Sequence, residues 1–215
     1  MNKKITLSLV VASLLTTGFS FGAAAHQAGD IIVRAGVAMV APNESSPVVA
    51  NIAEFGVDHD VQLGLNFGYM LTDNLGIELL AASPFSHDVS LGELGKIADS
   101  KQLPPTLVAQ YYFGDSQSAL RPYIGLGINF TNFYDSEFTQ EAKDLGLDNL
   151  SLSNSWGVAA QVGLDYQIDK KWLVNASVWY AQISTDVSFD MGADHVVVDT
   201  DIDPWVYMVS IGYTF

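Results

Sequence analysis

The composition of this chain of 215 residues excludes several classes of protein. It contains no cysteine, so disulfides cannot stabilise it, and its formal charge of −15 argues against nucleic acid and anionic lipid surfaces as partners. Only 15% of the residues are charged, against ~25% in ordinary globular domains, while 49% are apolar. Few charges combined with many glycines and aromatics are typical of a β-barrel that presents an apolar face to lipid.

The start of the chain has the pattern of an export signal. Lys3 and Lys4 precede a long apolar run, and three alanines come directly before the polar residue His26. We therefore predict that residues 1–25 are a cleaved signal peptide and that residues 26–215 form one domain, with a charge of −17 after loss of the two lysines. An N-terminal membrane anchor is the alternative interpretation.

The rest of the chain has the periodicity of β-strands. No stretch reaches the ~18 to 20 apolar residues of a membrane-spanning helix, whereas eight segments alternate with period 2. The predicted strands cover 30–40, 61–69, 75–83, 106–113, 123–130, 156–166, 172–186 and a last segment that ends at Phe215. This pattern predicts an all-β fold, an eight-stranded antiparallel transmembrane β-barrel. A soluble sandwich or a lipocalin-like barrel is the alternative.

The connections between these strands alternate between short and long, as periplasmic turns and extracellular loops do in outer-membrane barrels. Short turns lie at 72–74, 114–116 and 168–171, and long loops lie at 41–60, 84–105, 131–153 and 187–204. The long loops carry most of the acidic residues, and 140–145 is predicted to form a brief helix. An aromatic C-terminal residue is also typical of such barrels, and we expect the Phe215 strand to engage the barrel-assembly machinery.

The polar phase of the strands marks the predicted interior of the barrel. The polar residues assigned to this interior are Arg34, Glu78, Asp165 and Asn175. Two apolar residues share the phase, because Leu80 alternates with Glu78 and Trp179 alternates with Asn175. Both lie towards the long-loop ends of their strands, so we expect them to meet at similar depth. An eight-stranded barrel is too narrow for a water channel, so these two residues either line a passage for an apolar guest or simply plug the interior.

No motif for catalysis, for a cofactor or for a metal is present in the sequence. It has no Gly-rich phosphate loop and no Gly-x-Ser-x-Gly elbow. The histidines lack the close-spaced partners of a zinc site and are predicted to be solvated; they are His26, His59, His87 and His195. The acidic run from Asp186 to Asp203 has a spacing unlike a calcium loop and is predicted to be solvated as well. An outer-membrane hydrolase or acyltransferase, with a serine, a histidine and an acid from separate loops, stays open as an alternative.

Several motifs, in one order along the chain, resemble the OmpW family of small outer-membrane proteins. They are His26-Gln27-Ala28-Gly29-Asp30, Gln62-Leu63-Gly64-Leu65, Thr72-Asp73-Asn74 with Glu78-Leu79-Leu80-Ala81-Ala82, Leu103-Pro104-Pro105-Thr106, Tyr112-Phe113-Gly114-Asp115, Arg121-Pro122-Tyr123, Ser155-Trp156-Gly157, Ser177-Val178-Trp179-Tyr180 and Asp203-Pro204-Trp205-Val206. The resemblance implies an eight-stranded barrel with a narrow hydrophobic channel for small apolar molecules, and it implies that Leu80 and Trp179 form the constriction. Loops 41–60 and 84–105 depart most from the family pattern.

The sequence therefore predicts a passive outer-membrane channel for small hydrophobic solutes, with neither enzymatic activity nor a cofactor. A solute would pass Leu80 and Trp179 and leave through the lower barrel or sideways into the membrane. The alternative is a structural or adhesive surface barrel with a plugged interior, a receptor for phage, colicin or host contacts. An ion-paired network across Arg34, Glu78 and Asp165 favours the plugged barrel, whereas an apolar cavity favours transport. Outer-membrane lipid and lipopolysaccharide are the other expected partners.

The predicted export signal is tested by the N-terminus of the purified protein. We expect the chain isolated from outer membranes to begin at His26, as determined by intact mass and N-terminal sequencing. Replacing Ala23 and Ala25 with leucine removes the small side chains that the peptidase needs, and should leave residues 1–25 attached. A chain that still begins at His26 in this variant contradicts the assignment.

Overall fold

The structure is a computed structural model that describes residues 26–49 and 53–215, so the predicted signal peptide lies outside the described residues. The described chain is almost entirely β-structure. Its strands are β1 (Ile31–Ala41), β2 (Phe55–Val57), β3 (Asp60–Met70), β4 (Leu75–Ala82), β5 (Phe85–Leu91), β6 (Lys96–Leu103), β7 (Thr106–Tyr112), β8 (Leu120–Phe138), β9 (Leu147–Leu152), β10 (Ser155–Gln167), β11 (Trp172–Ala181), β12 (Ser184–Met191), β13 (Asp194–Asp201) and β14 (Trp205–Thr214). A 3-10 turn (Gly92–Leu94) and the helix α1 (Gln140–Asp144) complete the elements.

Eight of these strands close into an antiparallel barrel. Their order around the wall is β1, β3, β4, β7, β8, β10, β11 and β14, and β14 pairs with β1 to complete the ring. The closing register joins Val33 to Tyr213 and Val37 to Val209. Each of the eight strands pairs with a neighbour on both sides, and such closure is the condition for crossing a bilayer with strands. The predicted eight-stranded antiparallel barrel is confirmed.

The outer face of the barrel is apolar and the inner face is largely polar. Leu126 on β8 and Val209 on β14 are more than 60% exposed, whereas Asn129 and Ser210 on the same strands are buried inside. Aromatic pairs mark both ends of the apolar face: Phe130 packs on Trp156 near the long loops, and Trp172 packs on Tyr213 near the short turns. From Trp156 to Tyr166, β10 rises about 33 Å, which at a tilt of about 40° gives the apolar band of about 25 Å that an outer membrane requires.

The segments predicted to be long loops are the main departure from the sequence-based expectation. They contain β2, β5, β6, β9, β12, β13 and the outer part of β8. The predicted seventh strand, 172–186, in fact ends at Ala181, and the chain starts the separate strand β12 at Ser184. Serine and aspartate on the solvent face of these segments mask their alternation, although apolar residues occupy the other face. The barrel wall thus continues above the membrane as two small sheets.

The predicted helix in the third long loop is confirmed as α1, one residue shorter than predicted. The hydroxyl of Thr139 accepts a hydrogen bond from the backbone N–H of Ala142, as an N-cap side chain does. In the described part of the chain, no helix is long and apolar enough to cross a membrane.

Close approach of neighbouring strands generates a stability prediction at Gly127. A Cβ atom at this position would lie 1.9 Å from the carbonyl oxygen of Leu107, so the backbone of β7 must move to accept it. We expect Gly127→Ala to destabilise the barrel by about 1 to 3 kcal/mol, the usual cost of overpacking. Urea unfolding in detergent micelles measures this. Gly68→Ala is the matched control, because its Cβ would meet nothing closer than 3.6 Å; equal effects of the two substitutions would contradict the packing argument.

Candidate functional site

Leu80 and Trp179 lie together inside the barrel. Their exposed fractions are 8% and 2%, and both belong to one apolar layer. The other fully buried members of this layer are Ala38, Val108, Ala159 and Met208. The indole Nε1 of Trp179 donates a hydrogen bond of 3.2 Å to the hydroxyl of Ser177, which restricts the orientation of the ring. The structure therefore brings the two residues to the same depth, while their role as a constriction stays a prediction.

A buried charged network lies on the turn side of this layer. The Arg34 guanidinium donates to the carboxylates of Glu78 and Asp165, and all three side chains are at most 2% exposed. The amide of Asn175 donates to the other oxygen of Asp165 at 2.7 Å. The four polar residues assigned to the lumen from the sequence thus form one connected cluster, which we call the charged floor.

Further polar side chains complete the charged floor. One oxygen of Glu78 accepts hydrogen bonds of 2.9 to 3.0 Å from Asn66, Gln110 and Gln161. Tyr112 accepts from Arg34 at 2.9 Å, and the Tyr123 hydroxyl accepts from Asn175 at 2.8 Å. These residues were not among the predicted lumen residues, although their positions on the inward-facing phase of the strands could have identified them. Their bonds satisfy the lone pairs that a buried carboxylate would otherwise leave without a partner.

His26 closes the turn end of the barrel. Its imidazole Nε2 lies 2.7 Å from a carboxylate oxygen of Asp165, and its ring packs edge-on against Tyr112 with 5.0 Å between centroids. Its backbone carbonyl accepts from Arg121 at 3.3 Å. The prediction that the histidines are solvated is therefore wrong for His26, because the start of the domain folds back into the barrel mouth. It is also wrong for His87, which is 4% exposed on β5.

An apolar cavity of about 300 Å³, which we call the outer pocket, lies in the extension above the membrane. This volume is at the lower end of the range for small-molecule sites. Its buried apolar wall includes Val49, Phe55, Leu91, Ile97, Ala98, Phe138, Leu147, Val187, Phe189 and Ile202. These residues lie in segments that were predicted to be loops, so none of them was predicted to line a site. The alternation of Phe85, His87, Val89 and Leu91 on β5 was the signal that could have identified them.

A second, much smaller cavity of about 30 Å³ lies between the outer pocket and the charged floor. Leu80 and Trp179 line this inner cavity, and Gln102 lines both the inner cavity and the outer pocket. Its volume is that of about one water molecule, so the barrel is closed at this depth.

The barrel wall has a gap beside the inner cavity. The pairing of β4 with β7 ends at Leu80 and Thr106, and the described chain shows no backbone hydrogen bond from 81–84 to 103–105. Pairing resumes above the gap, where Phe85 on β5 opposes Gln102 on β6. We call this interruption the wall gap.

The backbone on each side of the wall gap forms hydrogen bonds with the strand on its far side, not across the gap. On one side, the backbone N–H of Ser83 donates to Leu63 at 3.2 Å, and on the other side the N–H of Phe130 donates to Pro105 at 3.1 Å. Pro84, Pro104 and Pro105 lie in the gap and have no N–H to bridge it. Because Phe130 belongs to the aromatic pair near the long loops, the wall gap lies at the height expected for the membrane interface.

The acidic run from Asp186 to Asp203 lies on or beside the hairpin of β12 and β13. Its members at positions 186, 194, 199 and 201 are exposed, as the prediction of a solvated surface requires. Among residues 26–49 and 53–215, no group of three or more histidine, cysteine, aspartate or glutamate side chains is placed to hold a metal ion.

Comparisons with known proteins agree with this architecture. A model of the OmpW family matches residues 27–215. The chain belongs to the OmpW family. It is 48% identical to outer membrane protein W of Vibrio cholerae over 99% of this chain and all of that protein. The crystal structure of OprG from Pseudomonas aeruginosa is similar with a TM-score of 0.82 and 43% identity, covering 89% of this chain and 98% of that chain. A more distant relative, 25% identical over 71% of each chain, is the dibenzothiophene metabolism operon protein PahQ of Pseudomonas aeruginosa.

Membership of the OmpW family places the chain in the outer membrane and among barrel proteins that are not enzymes. The short turns therefore face the periplasm, and the outer pocket faces the outside medium. Phe215 follows β14 at the periplasmic end and is 71% exposed. Its contact with the barrel-assembly machinery and the contact of the barrel with lipopolysaccharide stay predictions.

The charged floor generates a second stability prediction. Glu78→Leu removes a partner of Arg34 and leaves that cation partly uncompensated in a buried site, which should cost about 3 to 5 kcal/mol. Equilibrium urea unfolding in micelles or bilayers measures the loss. Glu93→Leu, at an exposed position in the 3-10 turn, is the control and should change stability by less than about 0.5 kcal/mol. A barrel that keeps full stability without Glu78 would show that Asp165 alone compensates Arg34.

Proposed function

We propose that this OmpW-family barrel admits small apolar molecules from the outside medium and releases them sideways into the outer membrane. The observation that carries the proposal is the position of the wall gap, directly beside an inner cavity that shares the lining residue Gln102 with the apolar outer pocket. No energy source and no covalent step are required, because the solute moves down its gradient from water into lipid.

The charged floor favours a sideways exit over an axial one. A solute that continued towards the periplasm would have to separate Arg34 from Glu78 and Asp165, which are all fully desolvated. An apolar molecule offers no polar group to replace those ion pairs, so the cost of several kcal/mol would not be recovered. The lipid beside the wall gap, in contrast, accepts an apolar surface at about −25 cal/mol per Å².

Leu80 and Trp179 then act as the lower end of the apolar path. Both line the inner cavity and separate it from the charged floor, so a solute that reaches them meets an apolar surface. In this proposal the constriction predicted from the sequence turns the solute towards the gap between β4 and β7. The name of the relative PahQ, which refers to metabolism of the apolar aromatic compound dibenzothiophene, supports a role in handling such compounds.

The second candidate function is a rigid surface barrel that serves as a receptor. The charged floor favours it, because a network that fills the lumen makes the barrel stiff and closed at its periplasmic end. An apolar pocket that opens above the membrane is not needed for such a role. Saturable binding of apolar solutes therefore discriminates between the two candidates.

A disulfide across the wall gap tests the proposed route. Ala82 and Pro104 would be opposite each other if the register of Leu80 and Thr106 continued, and both line the inner cavity. We expect the oxidised Ala82→Cys/Pro104→Cys protein to lower uptake of naphthalene by cells with intact lipopolysaccharide at least ~10-fold, because the exit is closed. Reduction should restore uptake.

The natural chain has no cysteine, so each single cysteine variant is a matched control that oxidation should leave unchanged. Naphthalene binding to the purified protein should persist in the oxidised double variant, because the outer pocket is intact. Unchanged uptake through the crosslinked barrel would contradict the sideways route.

A further inference from the structure

Gln102 lies at the boundary between the outer pocket and the inner cavity. Its side chain lines both cavities and is 97% buried, on β6 opposite Phe85. The surroundings are mainly apolar, with Phe133 and Ile97 in the wall of the outer pocket. On the proposed route, a solute that moves from the outer pocket towards the wall gap passes this amide.

Hydrogen bonds to His87 determine which way the Gln102 amide points. The imidazole Nδ1 of His87 lies 2.7 Å from the backbone carbonyl oxygen of Asp58, and a carbonyl only accepts, so Nδ1 carries the hydrogen. Burial lowers the pKa of His87 below its usual value, which keeps the ring neutral. Its Nε2 is then an acceptor, and the Gln102 amide nitrogen donates to it at 2.9 Å.

The amide oxygen of Gln102 is left without a partner by this arrangement. It is buried, and among the described residues it accepts no hydrogen bond. A buried carbonyl oxygen in that condition loses the hydrogen bonds that water gave it. Among the described residues, the outer pocket thus has one unsatisfied buried acceptor in a lining that is mainly apolar.

We propose that Gln102 selects apolar molecules that carry one hydrogen-bond donor, such as the hydroxyl of a phenol or the N–H of an indole ring. The donor binds the amide oxygen of Gln102, and the apolar body occupies the outer pocket. This inference rests on the proposed function and adds the chemical class of the solute to it. His87 acts as a positioning residue, because its Nε2 accepts from the amide nitrogen and so leaves the amide oxygen for the solute.

Two isomers test this selectivity, because they differ only in the donor. 4-Ethylphenol and 4-methylanisole have the same atoms and one oxygen each, but only the phenol donates a hydrogen bond. With the full barrel in lipid nanodiscs, and with affinities corrected for partitioning into the lipid, we expect the phenol to bind about 3- to 10-fold more tightly, as one hydrogen bond to a neutral acceptor contributes. In Gln102→Met the ratio should fall to about one while 4-methylanisole still binds.

Gln117→Met, at an exposed position in the turn before β8, is the control and should keep the ratio of the natural chain. Nuclear magnetic resonance of the unaltered protein gives a test that does not depend on a variant. The side-chain amide signals of Gln102 should shift with 4-ethylphenol and stay in place with 4-methylanisole.

The outcomes separate the two proposals. Equal affinities of the two isomers for the natural chain, with no shift at Gln102, would overturn the selectivity and leave the apolar route intact. Binding of neither isomer would overturn the proposed function itself. A preference for the phenol that persists in Gln102→Met would place the acceptor on another residue and contradict the assignment to Gln102.

Discussion

The Arg34 guanidinium lies fully buried in the lumen, between the carboxylates of Glu78 and Asp165. A cation in that position is tolerated only because both carboxylates and their amide and tyrosine partners are held in place by different strands of the closed barrel. His26 joins the same cluster through Asp165 and so ties the start of the domain to the wall. This one network therefore closes the periplasmic end and sets the depth at which the apolar part of the lumen ends.

The apolar layer and the two cavities all lie on the outer side of this network. Above the charged floor the lumen changes within a few residues to Leu80 and Trp179, then to a cavity with room for about one water molecule, then to the outer pocket. The polarity of the lining thus falls from the periplasmic end to the outside, whereas a water-filled pore requires a polar lining along its whole length. The strands above the membrane add enough apolar wall to make a pocket that eight short strands alone do not enclose.

Much of this architecture was predictable from periodicity, and the remainder depends on contacts between distant residues. Strict alternation from Trp156 to Tyr166 fixes which side of β10 meets lipid, and the same parity places Leu80 and Trp179 inside. The burial of His26 was not predictable, because the destination of a chain end depends on the finished barrel. The outer strands were missed because serine and aspartate on their solvent face resemble loop composition. The wall gap needs the register of β4 against β7, which no single strand reveals.

The three prolines at the wall gap reduce the number of backbone N–H groups that the interrupted pairing leaves without a partner. An unpaired amide hydrogen in hydrocarbon costs several kcal/mol, and an exposed strand edge recruits another strand. Ring carbons take the place of such hydrogens at Pro84, Pro104 and Pro105. Much of the edge of the gap is therefore apolar and cannot pair with another strand. In this barrel the interrupted sheet exposes few unpaired N–H groups, so it is compatible with a position beside the bilayer without pairing to a further strand.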